Sequence, residues 1–438
     1  MTEAPINLLK ISFSYNHCRR CYAAGFYLQF MKKKNVLIFL LFTTLLSITA
    51  CSDDDSGDNG VTGGTGPTEE VADLLTAENA RSYMVDAGAT NETVALFYNL
   101  KKLSKRKYLI GQQDAFAGFY NNAGGNSDIK KATGSDPALL GSDFMFITDN
   151  NNSGEASNWF YQQEIKITSD AKDAYNKGMV NTFSWHLREP FHGDTFYAED
   201  MTPEEKATAF ASILPGGTNH AYFTSKLDKV ADVLNNLRGN DGKLVPVIFR
   251  PFHEFDGSWF WWGSNYATPD QYKQVYQFLV TYLRDTKNVH NVIYAFSPDN
   301  SYTTNTAYLS RYPGDDYVDV LGMDNYGDFS NGSSTGVTTA NSKLVMVSKL
   351  AKEKVKIAAM TETGYRVTAA NSAINGFFNN NMFNALTANE AEVAYVMFWG
   401  NDQTGYYVPP TGSDFANFAN KPESVLQNNI PDMYSMPQ

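Results

Sequence analysis

The sequence predicts a (β/α)8 barrel built as one domain over residues 71–438, and three observations carry that expectation. From about residue 71 onward, short β-rich apolar runs alternate with amphipathic helical segments, the order expected of α/β architecture. Eight such runs can be found, and eight parallel strands close a barrel. Polar and aromatic residues follow the runs, at the strand ends where barrels carry their chemistry. No second linker and no obvious internal repeat interrupts the pattern, so one large domain fits the 438 residues better than two. A doubly wound open sheet is the alternative. No Gly-rich phosphate loop follows any strand, however, which removes the usual nucleotide function of that fold.

Taken in order, residues 1–30 read as upstream sequence from an over-extended start. They hold Cys18 and Cys21, a lone pair with no second ligand pair to make a metal site. Residues 31–50 read as a signal peptide: Met31 to Lys34 is basic, Val36 to Leu46 is apolar, and Ile48 to Cys51 resembles a bacterial lipobox. Cys51 is then expected to carry lipid and to anchor the mature chain to a membrane that it does not span. Residues 51–70 are acidic and Gly-rich without periodicity, a flexible tether. An acidic run directly behind such a cysteine resembles the surface-export signal of Bacteroidetes lipoproteins, which implies the outer membrane and its outer face, or otherwise a periplasm-facing anchor.

The eight expected strands are Tyr108 to Gln112, Phe144 to Thr148, Val180 to Trp185, Val245 to Arg250, Val292 to Phe296, Val318 to Met323, Lys356 to Met360 and Ala394 to Trp399. Helices are signalled between them. Thr202 and Thr268 each precede a proline and stand three residues before Glu205 and Gln271, the pattern of an N-cap with a capping box. Tyr272, Val275, Tyr276 and Leu279 then share one helix face, as do Leu227, Val230, Ala231 and Leu234 in a helix stopping near Gly239.

Composition narrows the function. With 35 basic against 47 acidic residues, net −12, nucleic acid is an unsuitable partner, whereas a neutral polysaccharide is compatible. Aromatic content of 14% suits sugar-stacking clefts, though much of it must be core. The chain is expected to act as a monomer.

Val247 to Gly263 is the densest stretch. An apolar strand stops at Arg250, His253 and Glu254, and Trp259, Trp261 and Trp262 follow within a few residues. Flat rings beside polar edges fit the apolar faces and hydroxyls of sugars. The other strand ends add Gln113, Asp114, Asp149, Trp185, His186, Ser297, Asp299, Asp324, Tyr326, Glu362 and Trp399. Glu254 follows strand four and Glu362 follows strand seven, and these ends face each other across a barrel mouth. Two opposed carboxyl groups roughly 5 Å apart suit a retaining glycosidase. Glu254 lies among His253, Phe255 and Trp259, so desolvation favours its protonated, acid form, whereas hydrogen bonds from Arg250 or Tyr326 would keep Glu362 ionised as a nucleophile. His186, His192 and His253 are too scattered for a ligand motif, and hydrolysis by two carboxylates calls for no metal and no cofactor.

Arg250 to Glu254, followed by Gly257, Trp259 and Trp261 to Gly263, resembles the acid/base motif of glycoside hydrolase family 26, chiefly β-mannanases. Ser184 to His186, Asp324 to Tyr326, Glu362 before Gly364, and Trp399 extend the resemblance over roughly residues 71 to 430. It implies a retaining endo-β-1,4-mannanase acting on mannan, glucomannan or galactomannan, with Glu254 as acid/base and Glu362 as nucleophile. Trp185, His186, Arg250, His253, Trp259, Trp262, Tyr326 and Trp399 would be the substrate-binding set, Tyr326 also orienting Glu362. Phe255 and Asp256 stand where Met and Asn are common in the family, so the surroundings of the acid differ. An exo-acting mannobiohydrolase, a β-1,3-xylanase or mixed-linkage glucanase, and a non-catalytic surface glycan-binding lipoprotein are the alternatives. The segments Asn121 to Asp136, His192 to Met201 and Ser330 to Ala340 are long enough to block one end of a cleft.

Overall fold

In the computed structural model, residues 74–117 and 126–437 are described. The expectations for residues 1–70, including Cys18, Cys21 and the lipidated Cys51, lie outside the described residues, as do residues 121–125 of the first long segment. No helix among the described residues is long and apolar enough to cross a membrane.

Eight parallel strands form the barrel: β1 (Tyr108–Gln113), β2 (Leu139–Asp143), β3 (Val180–Trp185), β4 (Val247–Pro251), β5 (Val292–Phe296), β6 (Val320–Asn325), β7 (Ile357–Thr363) and β8 (Tyr395–Phe398). Each pairs with the next, and β8 pairs back onto β1 from Leu109 opposite Tyr395 to Gln112 opposite Phe398, which closes the sheet into a (β/α)8 barrel. The helices Trp159–Asn176, Pro203–Ser212, His220–Asn236, Pro269–Thr281 and Ser334–Glu353 fall between strands. Both expected capping boxes form, Thr202 with Glu205 and Thr268 with Gln271. Each box satisfies two backbone donors that the first helical turn would leave unpaired.

Seven strands lie close to where the sequence placed them, and β2 does not. The run Phe144 to Thr148 is a turn that follows the strand. Phe144 and Ile147, three residues apart, face the core while Met145 and Phe146 stay part-exposed, and the Thr148 N–H donates to the Phe144 carbonyl at 2.9 Å. The apolar run therefore follows a helical period rather than the alternation of a half-buried strand. The strand itself carries Gly141, where an added Cβ would come within 2.3 Å of the Gln113 Oε1 and 2.5 Å of the Met397 Sδ. Likewise, Ser330 to Ala340 is not a long loop, because Ser333 caps a helix that starts at Ser334.

Side-chain parity divides the core. Leu109, Ile248, Ile293, Ala295, Val320, Ile357, Ala359, Tyr395 and Met397 form one cluster with Leu96, Phe97 and Leu100 of the helix Asn91–Leu103. Their neighbours Val247, Phe249, Tyr294, Phe296, Leu321, Ala358, Met360, Val396 and Phe398 form another with the outer helices, through residues such as Leu227, Val230, Val275, Leu279 and Leu344. Strand residues thus alternate between the barrel interior and the helical layer. Continued toward the C-terminal ends, the interior parity reaches Arg250 on β4, Ser297 just past β5, Asp324 on β6 and Thr361 on β7. The barrel that is apolar at its base becomes polar at its mouth.

Candidate active site

These four residues build the floor of the site. Arg250 Nη1 donates to Asp324 Oδ2 at 2.9 Å and to Ser297 Oγ at 3.2 Å, while Ser297 and Thr361 hydroxyls reach Asp324 Oδ1 at 2.9 and 2.7 Å. Gly322 gives this network its space, since a Cβ there would lie 2.7 Å from Thr361. Arg250 is fully buried. Burial works against its charge, but Asp324 and Glu362 outweigh that and raise its affinity for the proton.

Glu362 would point away from the mouth if β7 kept a regular pleat. Met323 pairs with Met360, and the next pair is Asp324 with Glu362, so Thr361 is an extra residue in β7. Such a bulge re-aims the side chains beyond it, and both Thr361 and Glu362 reach the interior. Arg250 Nη2 donates to Glu362 Oε1 and the Tyr326 hydroxyl donates to Oε2 at 3.0 Å, fixing the carboxylate by both oxygens. His253 Nε2 lies 3.9 Å from Oε1. Burial, His186 and Arg250 hold the His253 imidazole well below its ordinary proton affinity, so it is neutral.

Glu254 sits on the opposite side. Its N–H donates to the Ser297 carbonyl at 2.9 Å, and its φ of 52° lies in the left-handed region, as does Phe252 at 50°. Trp259 Nε1 donates to Glu254 Oε2 at 2.7 Å. Gly257 allows the indole to lie over the turn, since a Cβ there would be 2.3 Å from the ring. Burial pushes the Glu254 carboxyl well above the usual carboxylate range, and the charges of Glu362, Asp299 and Asp324 add to it; the Trp259 bond opposes them. One carboxylate oxygen each from Glu254, Asp324 and Glu362 lie within 4.8 Å of one another. Among the described residues they are the one group of three or more His, Cys, Asp or Glu side chains close enough to share a cation. The Arg250 guanidinium already supplies positive charge to Asp324 and Glu362.

Eight residues were expected to touch substrate, and the structure divides them. Trp259, Trp399 and Tyr326 are exposed or part-exposed. His186 is nearly buried, its ring 6.0 Å from Trp399 and its Nδ1 bonded to Asp143 Oδ2. Arg250 and His253 are buried beside Glu362, Arg250 bonded to it and His253 Nε2 3.9 Å from its Oε1. Trp185 and Trp262 are core residues. Trp185 is fully buried against Phe223, Phe249 and Phe252 and donates to Thr148 Oγ1 at 2.9 Å, while Trp262 stacks on Phe260 at 4.5 Å and donates to the His253 carbonyl at 2.8 Å. An indole pays no penalty for complete burial once its N–H has an acceptor, and both have one.

Sequence reasoning missed Asp143, because the second strand was placed five residues late and Asp149 was taken as its end. Burial works against the charge of Asp143, but His186 outweighs it and holds the carboxylate below its ordinary range. Asp149 instead pairs with Arg188 at 2.9 Å. The polar end of the run from Leu139 to Asp143 was the available signal. Asp256 was noticed only as a departure. Its carboxylate accepts the N–H of Asp299 at 2.6 Å and both the N–H and hydroxyl of Ser301, tying the loop after β4 to the loop after β5.

The model of glycosyl hydrolase family 26 matches residues 85–401. A family 26 structure from Muricauda sp. is 55% identical with a TM-score of 0.82, covering 83% of this chain and 99% of that one. A family 26 β-mannanase from Bacteroides ovatus is 30% identical with a TM-score of 0.68, covering 79% and 98%. A mannan endo-1,4-β-mannosidase of Bifidobacterium adolescentis is 35% identical over 379 residues, which are 81% of this chain but only 37% of that longer protein. The match thus spans most of this chain and well under half of that relative. With a closed barrel and opposed glutamates on strands four and seven, the chain belongs to glycosyl hydrolase family 26.

Proposed function

We propose that the protein is a retaining endo-β-1,4-mannanase that cuts mannan, glucomannan or galactomannan by double displacement. The observation that carries this reading is the approach of the Glu254 and Glu362 carboxylate oxygens to within 4.8 Å. Retaining enzymes need about 5 Å between carboxyl groups, whereas inversion needs about 6.5–9.5 Å to seat a water. The relatives named as mannan endo-1,4-β-mannosidases support the choice of substrate.

In the first step the proton on Glu254 passes to the glycosidic oxygen as the C1–O bond breaks, and a Glu362 oxygen bonds to C1 from the opposite face. The departing chain leaves as a neutral alcohol. In the second step the Glu254 carboxylate takes a proton from water, the water oxygen bonds to C1, and the ester to Glu362 breaks. Both carboxyls return to their starting states. Glu254 begins protonated because its surroundings disfavour charge, and Arg250 with Tyr326 aims Glu362 at the anomeric carbon. Trp259, Trp399 and Tyr326 are the rings that line the sugar beside this pair.

Glu362→Ala should abolish turnover while leaving oligosaccharide binding measurable; substantial residual turnover rejects the nucleophile. Glu254→Ala should regain turnover of an activated aryl mannoside when azide is supplied. A product series of mixed lengths from mannan and mannohexaose is expected of endo action, and release of mannobiose alone would indicate exo action instead.

The same reading includes an outer-membrane lipoprotein, held by lipid on Cys51 after removal of residues 31–50 and spaced by residues 51–70. Its support is the basic, apolar and small-residue order ending at Cys51. Labelled fatty acid should enter the wild-type chain and not Cys51→Ala; equal labelling rejects the anchor.

A further inference from the structure

We propose that Phe146, Trp159 and Phe160 form a sugar-stacking subsite that holds the polymer chain beyond the catalytic cleft. The proposal rests on the reading of the substrate as a β-linked mannan. Phe146 lies in the turn after β2, and Trp159 opens the helix Trp159–Asn176 that returns from the same loop. Both therefore sit at the barrel end that carries Glu254 and Glu362. Trp159 is 49% exposed, more than Trp259 at 37%. A single exposed ring needs no explanation, but here two part-exposed rings, Phe146 and Phe160, adjoin it. Phe146 and Phe160 each pack edge-on to Trp159 with centroids 5.1 Å away, and they meet each other at 6.2 Å.

The patch is held rigid. Asn158 caps the helix by accepting the Tyr161 N–H at 2.9 Å, and its amide donates to the Asn151 carbonyl at 2.9 Å. Asn151 in turn donates to Asp149, which binds Arg188. An indole fixed in this way loses little freedom when a ligand covers it. Exposed Asn151, Ser153 and Glu155 stand on the same loop, providing polar groups for hydroxyls beside an apolar platform.

Continuity with the active site identifies the occupant as the substrate polymer. The part-exposed Trp399 ring lies 6.0 Å from that of His186, His186 bonds to Asp143, and Asp143 accepts the N–H of part-exposed Met145 at 2.7 Å, next to Phe146. A neutral hexose chain leaving the cleft past Trp399 along this wall would reach the rings.

The test compares wild type and Trp159→Ala on polymeric mannan and on mannotriose, with Trp159→Tyr as the variant that keeps a ring. The expected result is a KM on polymer raised roughly five- to tenfold by the alanine variant, with unchanged kcat, unchanged kinetics on mannotriose and recovery by tyrosine. An unchanged polymer KM overturns the subsite, as does an equal loss on both substrates. Conversion of a wild-type dimer to a monomer by the alanine variant also overturns it, because the patch would then be covered by a second copy of the chain. Failure of the wild type to cut mannan defeats the functional reading, whereas an active wild type with an unaffected variant defeats only the subsite.

Discussion

Replacing Trp259 by Phe tests how the acid is tuned. The substitution keeps a ring beside Phe260 and deletes the Nε1 donor that reaches Glu254 Oε2 at 2.7 Å. That bond favours the ionised carboxylate and opposes burial and the nearby charges of Glu362, Asp299 and Asp324, which favour the proton. Its removal must therefore raise the pKa of Glu254 further. A hydrogen bond to a charged group is worth about 1.5–3 kcal/mol, which is the ceiling on the effect. Trp259 is 37% exposed, and water replaces part of the lost bond, so the rise stays below that ceiling. In the pH profile of kcat/KM the alkaline limb reports loss of the acid's proton, so this limb should move upward. At the optimum, kcat should fall roughly tenfold, because the carboxyl loses the donor that fixes one of its oxygens. Initial rates on mannohexaose across the active pH range measure both effects. An alkaline limb that moves down, or stays in place while the acidic limb shifts, would refute the reasoning.

Two further outcomes follow from the charges of the site. A carboxyl whose folded pKa lies above its unfolded value binds more protons in the folded state, so its contribution to stability is lost as pH rises. Glu254→Gln should accordingly raise the melting temperature at pH above the range of an ordinary glutamate and leave it nearly unchanged in acid; thermal scans showing the larger gain in acid would contradict this. Arg250→Ala leaves Asp324 and Glu362 buried without the cation that both contact, at an expected cost of about 3–5 kcal/mol. Denaturant unfolding at neutral pH should show that loss and its partial recovery in the double variant with Asp324→Asn, and an unrecovered double variant would place the defect elsewhere.

The barrel was legible because its strands alternate between two apolar surroundings and its helices carry local start signals such as Thr202 and Thr268. Glu254 and Glu362 were legible because each stands at the C-terminal end of a strand, and the strand ends of a closed barrel face each other across its mouth. Local sequence could not reveal the bulge at Thr361 that turns Glu362 inward, since a bulge is defined by the partner strand. Asp143 was hidden for a related reason. The strongest apolar run in its neighbourhood belongs to the following turn, and only pairing of Leu139 to Asp143 with β1 and β3 identifies the strand. Tryptophans were overread. Residue type shows that an indole can stack on sugar, but burial decides whether it does, and Trp185 and Trp262 have no surface to offer.

Those buried rings have a different task, which follows from the backbone they surround. Phe252 and Glu254 both adopt positive φ, a conformation costing of order 1–3 kcal/mol for a residue with a side chain and persisting only where the surroundings over-determine it. The Phe252 side chain is buried against Trp185, Phe210, Phe223, Trp261, Trp262 and Tyr272, and its carbonyl accepts the Tyr272 hydroxyl at 3.2 Å. The carbonyl of His253 accepts the Trp262 Nε1, and the N–H of Glu254 is held by Ser297. Asp256 then fixes the loop beyond Ser297 through Asp299 and Ser301. The Phe252–His253 and His253–Glu254 peptides thus each have a partner anchored in the core or in the next loop. The turn held in this way keeps a carboxylate oxygen of Glu254 within 4.8 Å of one of Glu362.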